Sequence, residues 1–293
     1  MTLGSYAVVT PIRNEVAHLR NLLESLLEQT APPTVWVIVD NGSDDETPTL
    51  AAALAEEHEW IRFVSAPLPA AAERAGPIVH AFEAGIAAIT PDVDALAKVD
   101  ADVTLPPDYF ERLLSELAAD PRIGMLSGSG YEQEDGVWVE RGVTGDHVWG
   151  AARLYRRGCL DQLLPFERRT GWDGMDVLEA NVRGWKTGLV AELPFFHHRR
   201  EGSRAPSRRA QWTAQGRAAH YMGYRAPYLI GRALYRARRD PSALAMIASF
   251  VGASARREPT VERAGLREFV REQQRLRRLL PLAASKLRGR QRT

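Results

Sequence analysis

Four short apolar runs, at residues 6–10, 35–39, 61–64 and 95–99, punctuate the first hundred residues, and the stretches between them space their apolar side chains as helices do. The run at 35–39 is apolar throughout and bounded by turn residues, as expected of a strand covered on both faces. The alternation of these runs with helices predicts an α/β fold with a mostly parallel sheet. The first helix carries Val16, Leu19, Leu22, Leu23, Leu26 and Leu27 on one face and stops at Ala31-Pro32-Pro33. Further helices are expected near residues 46–58, 77–89 and 108–118. An apolar run at 123–126 precedes a Gly/Ser turn, and 131–140 reads as a hairpin or bulged strand. Helices near 150–164 and 174–182 and a strand at 189–196 follow.

The last apolar run ends in Asp100-Ala101-Asp102, which places two carboxylates where a buried strand surfaces. In an open parallel sheet ligands bind beyond the carboxyl ends of strands. Thr10-Pro11-Ile12-Arg13-Asn14-Glu15 and Val39-Asp40-Asn41-Gly42-Ser43-Asp44-Asp45 leave their strands at that same end. Paired hard oxygens suit Mg²⁺ or Mn²⁺, and an imidazole ligand would tilt the choice to Mn²⁺. There is neither a Gly-x-x-x-x-Gly-Lys-Ser/Thr loop nor a Gly-x-Gly-x-x-Gly after the first strand, so a cation rather than a glycine cradle must neutralise any diphosphate.

At 293 residues and 45% hydrophobic content the chain can bury one large core or a core with an appendage. Its one cysteine, Cys159, leaves no internal disulfide framework, reads as a buried apolar residue, and suits a reducing compartment. No apolar stretch reaches the roughly 18 residues of a bilayer span, and the first residues predict no secretory signal. The net charge of +1 conceals a split: residues 1–198 carry 15 basic and 31 acidic side chains, residues 199–293 carry 23 and 6. Two regions are therefore expected, an acidic one over 1–203 and a basic helical one over 204–293. In the latter Leu266, Phe269, Val270, Leu276, Leu279 and Leu280 form one stripe among arginines. That stripe can dock on protein or lie on an anionic membrane, which predicts a cytoplasmic protein with peripheral attachment to the inner face of the plasma membrane.

Taken together with Gly171-Trp172-Asp173 and His197-His198, these motifs resemble those of family 2 glycosyltransferases, inverting enzymes of the GT-A fold, over roughly residues 5–203. The resemblance implies a Rossmann-like mixed sheet flanked by helices and a metal-dependent transfer of a sugar from a nucleotide-diphospho-sugar. UDP leads as the nucleotide, with GDP and dTDP open. Pro11, Arg13, Glu15, Asp40, Gly76 and Asp100 would lie at the nucleotide, with Arg74 pairing with phosphate. Asp102 and His197 would hold the Mn²⁺ or Mg²⁺, and Asp173 would be the general base. Trp149, Trp172 and Asp176 are expected on the acceptor side, Trp172 as a wall for a sugar ring and Asp176 as a rival base. Partners would be the nucleotide-sugar and a glycan, lipid-linked or small hydroxyl acceptor, in cell-envelope or lipid-linked glycan synthesis, without nucleic acid. A sugar nucleotidyltransferase would share the layout but lacks its glycine-rich signature here. A non-catalytic nucleotide-sugar or anionic-surface binding module is the rival from another class.

Overall fold

The computed structural model describes residues 4–67, 76–141, 147–169, 171–199 and 207–275. The chain divides into two compact units, residues 1–200 and 201–293.

The first unit is built on a nine-stranded mixed sheet. Its strands are β1 (Tyr6–Ile12), β2 (Val35–Asp40), β3 (Ile61–Ser65), β4 (Ala95–Val99), β5 (Val103–Thr104), β6 (Ile123–Glu134), β7 (Val137–Glu140), β8 (Ala152–Arg156) and β9 (Lys186–His197). They lie in the order β3-β2-β1-β4-β8-β6-β9-β5, with β7 hairpinned onto β6. The first four are mutually parallel, and β8 enters antiparallel to β4. The helices are α1 (Leu19–Leu27), α2 (Thr47–Glu57), α3 (Gly76–Ala87), α4 (Tyr109–Ala119), α5 (Arg157–Leu163) and α6 (Trp172–Val182).

Strand alternation sorts the core. Tyr6 and Val8 of β1 join Trp36 and Ile38 of β2 in one apolar cluster with Leu19, Leu22 and Leu26 of α1 and Leu113 of α4. Ala7 and Val9 join Val35, Val37 and Val39 in a second cluster with Val79 and Phe82 of α3. A fully apolar strand is what a sheet covered on both faces requires. Gly85 of α3 marks how closely that helix lies: a Cβ there would sit 2.4 Å from Val9 Cγ1.

Three expectations need correction. The Gly/Ser turn after residue 126 does not form, because β6 runs on through Gly128, Ser129 and Gly130 beside β9, with a bulge between Gly128 and Ser129. A Cβ on Gly128 would lie 2.2 Å from the Leu193 carbonyl oxygen, so the glycine admits the neighbouring strand and does not break the sheet. The helix expected over 150–164 is strand β8 followed by α5. Ala152 to Tyr155 are all buried, and Arg153 puts a charge into what would otherwise read as a continuous apolar run. Finally, α1 begins only at Leu19, and Val16 and Leu27 are exposed.

The second unit is helical: α7 (Arg208–Tyr221), α8 (Ala226–Ala237), a 3₁₀ turn over Pro241–Leu244, α9 (Ala245–Ala255) and α10 (Leu266–Gln273). Ala219, Leu229, Ala233 and Met246 form its small core, with Trp212, Tyr224 and Phe250 against it. Leu266 and Val270 of the expected amphipathic stripe are buried, and residues 276–280 of that stripe lie outside the described residues.

Candidate nucleotide and metal site

Register brings the first two motifs together. Ile12 lies opposite Asp40 at the ends of β1 and β2, and the Asn41 N–H donates to the Ile12 carbonyl at 2.9 Å. Asn14, at φ 57°, stitches the two loops. Its N–H donates to Ser43 Oγ at 3.0 Å, its Nδ2 to Asp44 Oδ1 at 2.6 Å, and the Asp44 N–H returns a bond to Asn14 Oδ1 at 3.0 Å. Asp40 is buried and accepts from the Gly42 N–H at 3.0 Å and from Ser43 Oγ at 2.5 Å, so its carboxylate shapes the loop that follows it. Pro11 is buried in β1, Arg13 is exposed on the rim, and Gly76 is buried at the first turn of α3. Arg74 lies outside the described residues.

The acids converge with a histidine by a second register. Val103 pairs with His197 across β5 and β9, and the His198 N–H donates to the Asp102 carbonyl at 2.9 Å. His197 Nε2 thereby comes to 3.3 Å from Asp102 Oδ1. Asp100, Asp102 and His197 offer two oxygens and a nitrogen all within 4.8 Å of one another. His198 points elsewhere, with Nε2 2.6 Å from Thr104 Oγ1 and its ring edge-on to Trp138. Burial works against charge on His197, yet the hydrogen bond to Asp102 and the negative charges of Asp102, Asp100 and Glu132 draw its pKa upward. A dense negative field around hard oxygen donors and one imidazole fits Mn²⁺ or Mg²⁺.

Two cationic residues, read in the sequence only as part of their surroundings, organise this cluster. Lys98 is buried, and its Nζ donates to Asp100 Oδ1 at 2.5 Å and to the Gly150 carbonyl at 2.8 Å. Arg199 forks onto Glu15 with bonds of 2.9 and 2.8 Å while its Nε stands 3.5 Å from Asp102 Oδ2. Glu15, expected at the nucleotide, thus holds the arginine that reaches the metal-site acid.

Asp173 is exposed in the first turn of α6, just after Gly171 at φ 87°. A Cβ on Gly150 would lie 2.6 Å from Asp173 Oδ2, so this carboxylate lies over the residue whose carbonyl anchors Lys98. Arg153 fixes the backbone on both sides, its guanidinium donating to the Val148, Trp149 and Asp173 carbonyls at 3.1, 3.0 and 2.9 Å. Asp176, expected as a rival base, does not reach the surface. Its Oδ2 accepts from Arg153 and from the Tyr155 hydroxyl, both at 2.6 Å, and its Oδ1 from the Val177 N–H at 2.6 Å. Burial raises the Asp176 pKa while the guanidinium opposes that rise. Its role is to balance a buried arginine. Trp172, expected as a wall for a sugar ring, is only 5% exposed and packs on Phe82 and Phe166 at 5.9 and 5.3 Å in the core. Trp149 is nearly buried between His147 and Phe195, and its indole N–H has no partner among the described residues. Lys98 had a signal in the sequence, a charge inside a buried strand, whereas Arg153 had none.

The profile of glycosyl transferase family 2 matches residues 7–167. The succinoglycan biosynthesis protein ExoA of Rhizobium meliloti (strain 1021) is 32% identical over 120 residues, which are 41% of this chain and 34% of that protein. The chain therefore spans about a third of that relative's length. Among solved structures, the mannosyltransferase PcManGT from Pyrobaculum calidifontis, in complex with GDP-Man and Mn²⁺, superposes with a TM-score of 0.58 at 17% identity, covering 96% of this chain and 79% of that one. S. aureus TarS 1-349 with UDP-GlcNAc gives 0.56 at 16% identity over 84% and 71%. These likenesses show the fold, a GT-A-like mixed sheet flanked by helices. With more than half its length matched by the family profile, the chain belongs to glycosyl transferase family 2.

Proposed function

We propose that the protein is a metal-dependent inverting glycosyltransferase that moves a sugar from a nucleotide-diphospho-sugar, UDP-linked by preference, to an acceptor hydroxyl in envelope or lipid-linked glycan synthesis. The observation that carries this reading is the convergence of Asp100, Asp102 and His197 beside the stitched loops that bear Asp40. PcManGT, with GDP-Man and Mn²⁺, and TarS, with UDP-GlcNAc, support the donor class.

Asp40 receives the nucleoside, and Pro11 and Arg13 flank it. Asp100, Asp102 and His197 hold a divalent cation, which when bound neutralises charge on the diphosphate. Asp173, solvent-accessible and set against Gly150, accepts the proton of the acceptor hydroxyl as that oxygen attacks the anomeric carbon. The bond from the anomeric carbon to the phosphate oxygen breaks, its electron pair leaves on the nucleoside diphosphate, and attack from the opposite face inverts the centre. Lys98 ties the two ends of this machinery, one hydrogen bond on Asp100 and one on Gly150.

Calorimetric titration with UDP, GDP and dTDP, each with and without Mn²⁺, tests the reading. Binding of one nucleotide that requires Mn²⁺ and is lost in Asp102→Asn is the expected result. Equal binding with and without Mn²⁺, or no binding of any nucleotide, overturns it.

A further inference from the structure

Exposed large apolar side chains are few in the described residues, and most of them gather in one short stretch of the helical unit. Ile230, Leu234 and Tyr235 on α8, Leu244 beside it and Val251 on α9 are between 41% and 61% exposed. Within α8, Leu229 and Ala233 fill the unit's core, while Ile230, Leu234 and Arg238 follow one another at four-residue spacing along the solvent side. Tyr235 adds an amphipathic ring to that side, with the Arg238 guanidinium 5.8 Å over it.

Arg236, Arg238 and Arg239, at and just after the end of α8, are exposed as well. From residue 202 to residue 257 there are eleven arginines and a single acid, Asp240. That acid is engaged by Ser242 and by the Trp212 indole at 2.8 Å. A nucleic-acid backbone would match the arginines but leave the leucine, isoleucine and valine in water. A bilayer surface matches both, since acyl chains take the apolar side chains while anionic headgroups meet the arginines.

We infer that the α8–α9 face binds the surface of an anionic lipid bilayer. The buried side chains of α10 take no part in it, since Leu266 and Val270 are committed to protein. The inference stands apart from the transfer reaction because none of the residues assigned to nucleotide, metal or acceptor lies on this face.

The test is co-sedimentation of the full chain with phosphatidylglycerol vesicles, phosphatidylcholine vesicles and no vesicles, at low and high salt. Expected are binding to the anionic vesicles only, weakening as salt screens the arginines, and a loss of about tenfold or more for L234E/Y235E as the cost of placing charge in the interface. Ile230→Glu should act in the same direction, and Val137→Glu, an exposed apolar residue on β7, should change nothing. Circular dichroism and the Mn²⁺-nucleotide titration report that each variant is folded. Failure to bind anionic vesicles at low salt, or undiminished binding by both face variants, overturns the inference. So does a wild-type dimer in sedimentation that L234E/Y235E dissolves without any lipid binding, which would make the occupant a second copy.

Discussion

Asp173 Oδ2 has so little room above Gly150 that a single methyl group would displace it. Gly150→Ala is therefore predicted to lower kcat by at least about tenfold while nucleotide affinity changes less than twofold, because Asp173, as the proposed general base, must stay within hydrogen-bond reach of the acceptor. Asp173→Asn should lose about 10²–10⁴ in kcat by the same argument and keep donor binding. Both are checked by initial rates beside calorimetry. Trp149 offers a test of a different kind. The Trp149 indole N–H is buried without a partner among the described residues, a situation that costs roughly 1–3 kcal/mol, so Trp149→Phe should be as stable as the parent or more stable in thermal melts. A variant that melts lower than the parent would show that the indole N–H has a partner in the folded protein. Cys159 is fully buried, and burial pushes its thiol up to about 12. The native protein should therefore resist a thiol reagent at pH 8 and react only after denaturation.

At the level of elements, Arg153 and Asp176 join β8 to α6 by a pair with side chains 0% and 1% exposed. Removing one charge leaves the other buried and uncompensated, so Asp176→Asn should destabilise the fold by about 3–5 kcal/mol in denaturant titration. Asp94 makes a milder case at the start of β4. The Gly4 and Ser5 N–H groups and the Ser5 hydroxyl hold its carboxyl below the ordinary range. A folded-state pKa below the unfolded one adds stability that is present above about pH 4 and fades as pH falls through the folded value. The gap between wild type and Asp94→Asn should accordingly narrow from pH 6 to pH 3. The parallel half of the sheet was legible in the sequence because its strands are mostly apolar and its helices amphipathic. Of the antiparallel part, the hairpin over 131–140 was legible, but β8 and the middle of β6 were not: β8 carries a buried arginine, and β6 passes through glycines that ordinarily mark turns. Of the site, the rim loops and acids were legible because charged residues ended apolar runs. The roles of Lys98, Arg199 and Asp176 depended on contacts between segments far apart in the sequence, which no local pattern encodes.

Across the whole molecule, chemistry and charge are distributed unevenly along the chain. Every residue assigned to nucleotide, metal, base or acceptor falls before residue 200, within the stretch whose first 198 residues carry the 31 acids. The arginine-rich stretch with the exposed apolar face comes after it. If the two properties are separable, a chain ending at Ser203 should retain Mn²⁺-dependent nucleotide affinity within about threefold and show no sedimentation with phosphatidylglycerol vesicles, since its net charge would be repelled by them. Transfer to a water-soluble acceptor should survive the truncation, and transfer to an acceptor embedded in vesicles should fall, because attachment to the surface raises the effective concentration of a membrane-held substrate. Rates on the two acceptors, measured for the full and shortened chains, decide the matter. Equal losses on both would mean that the helical unit contributes to the catalytic centre itself.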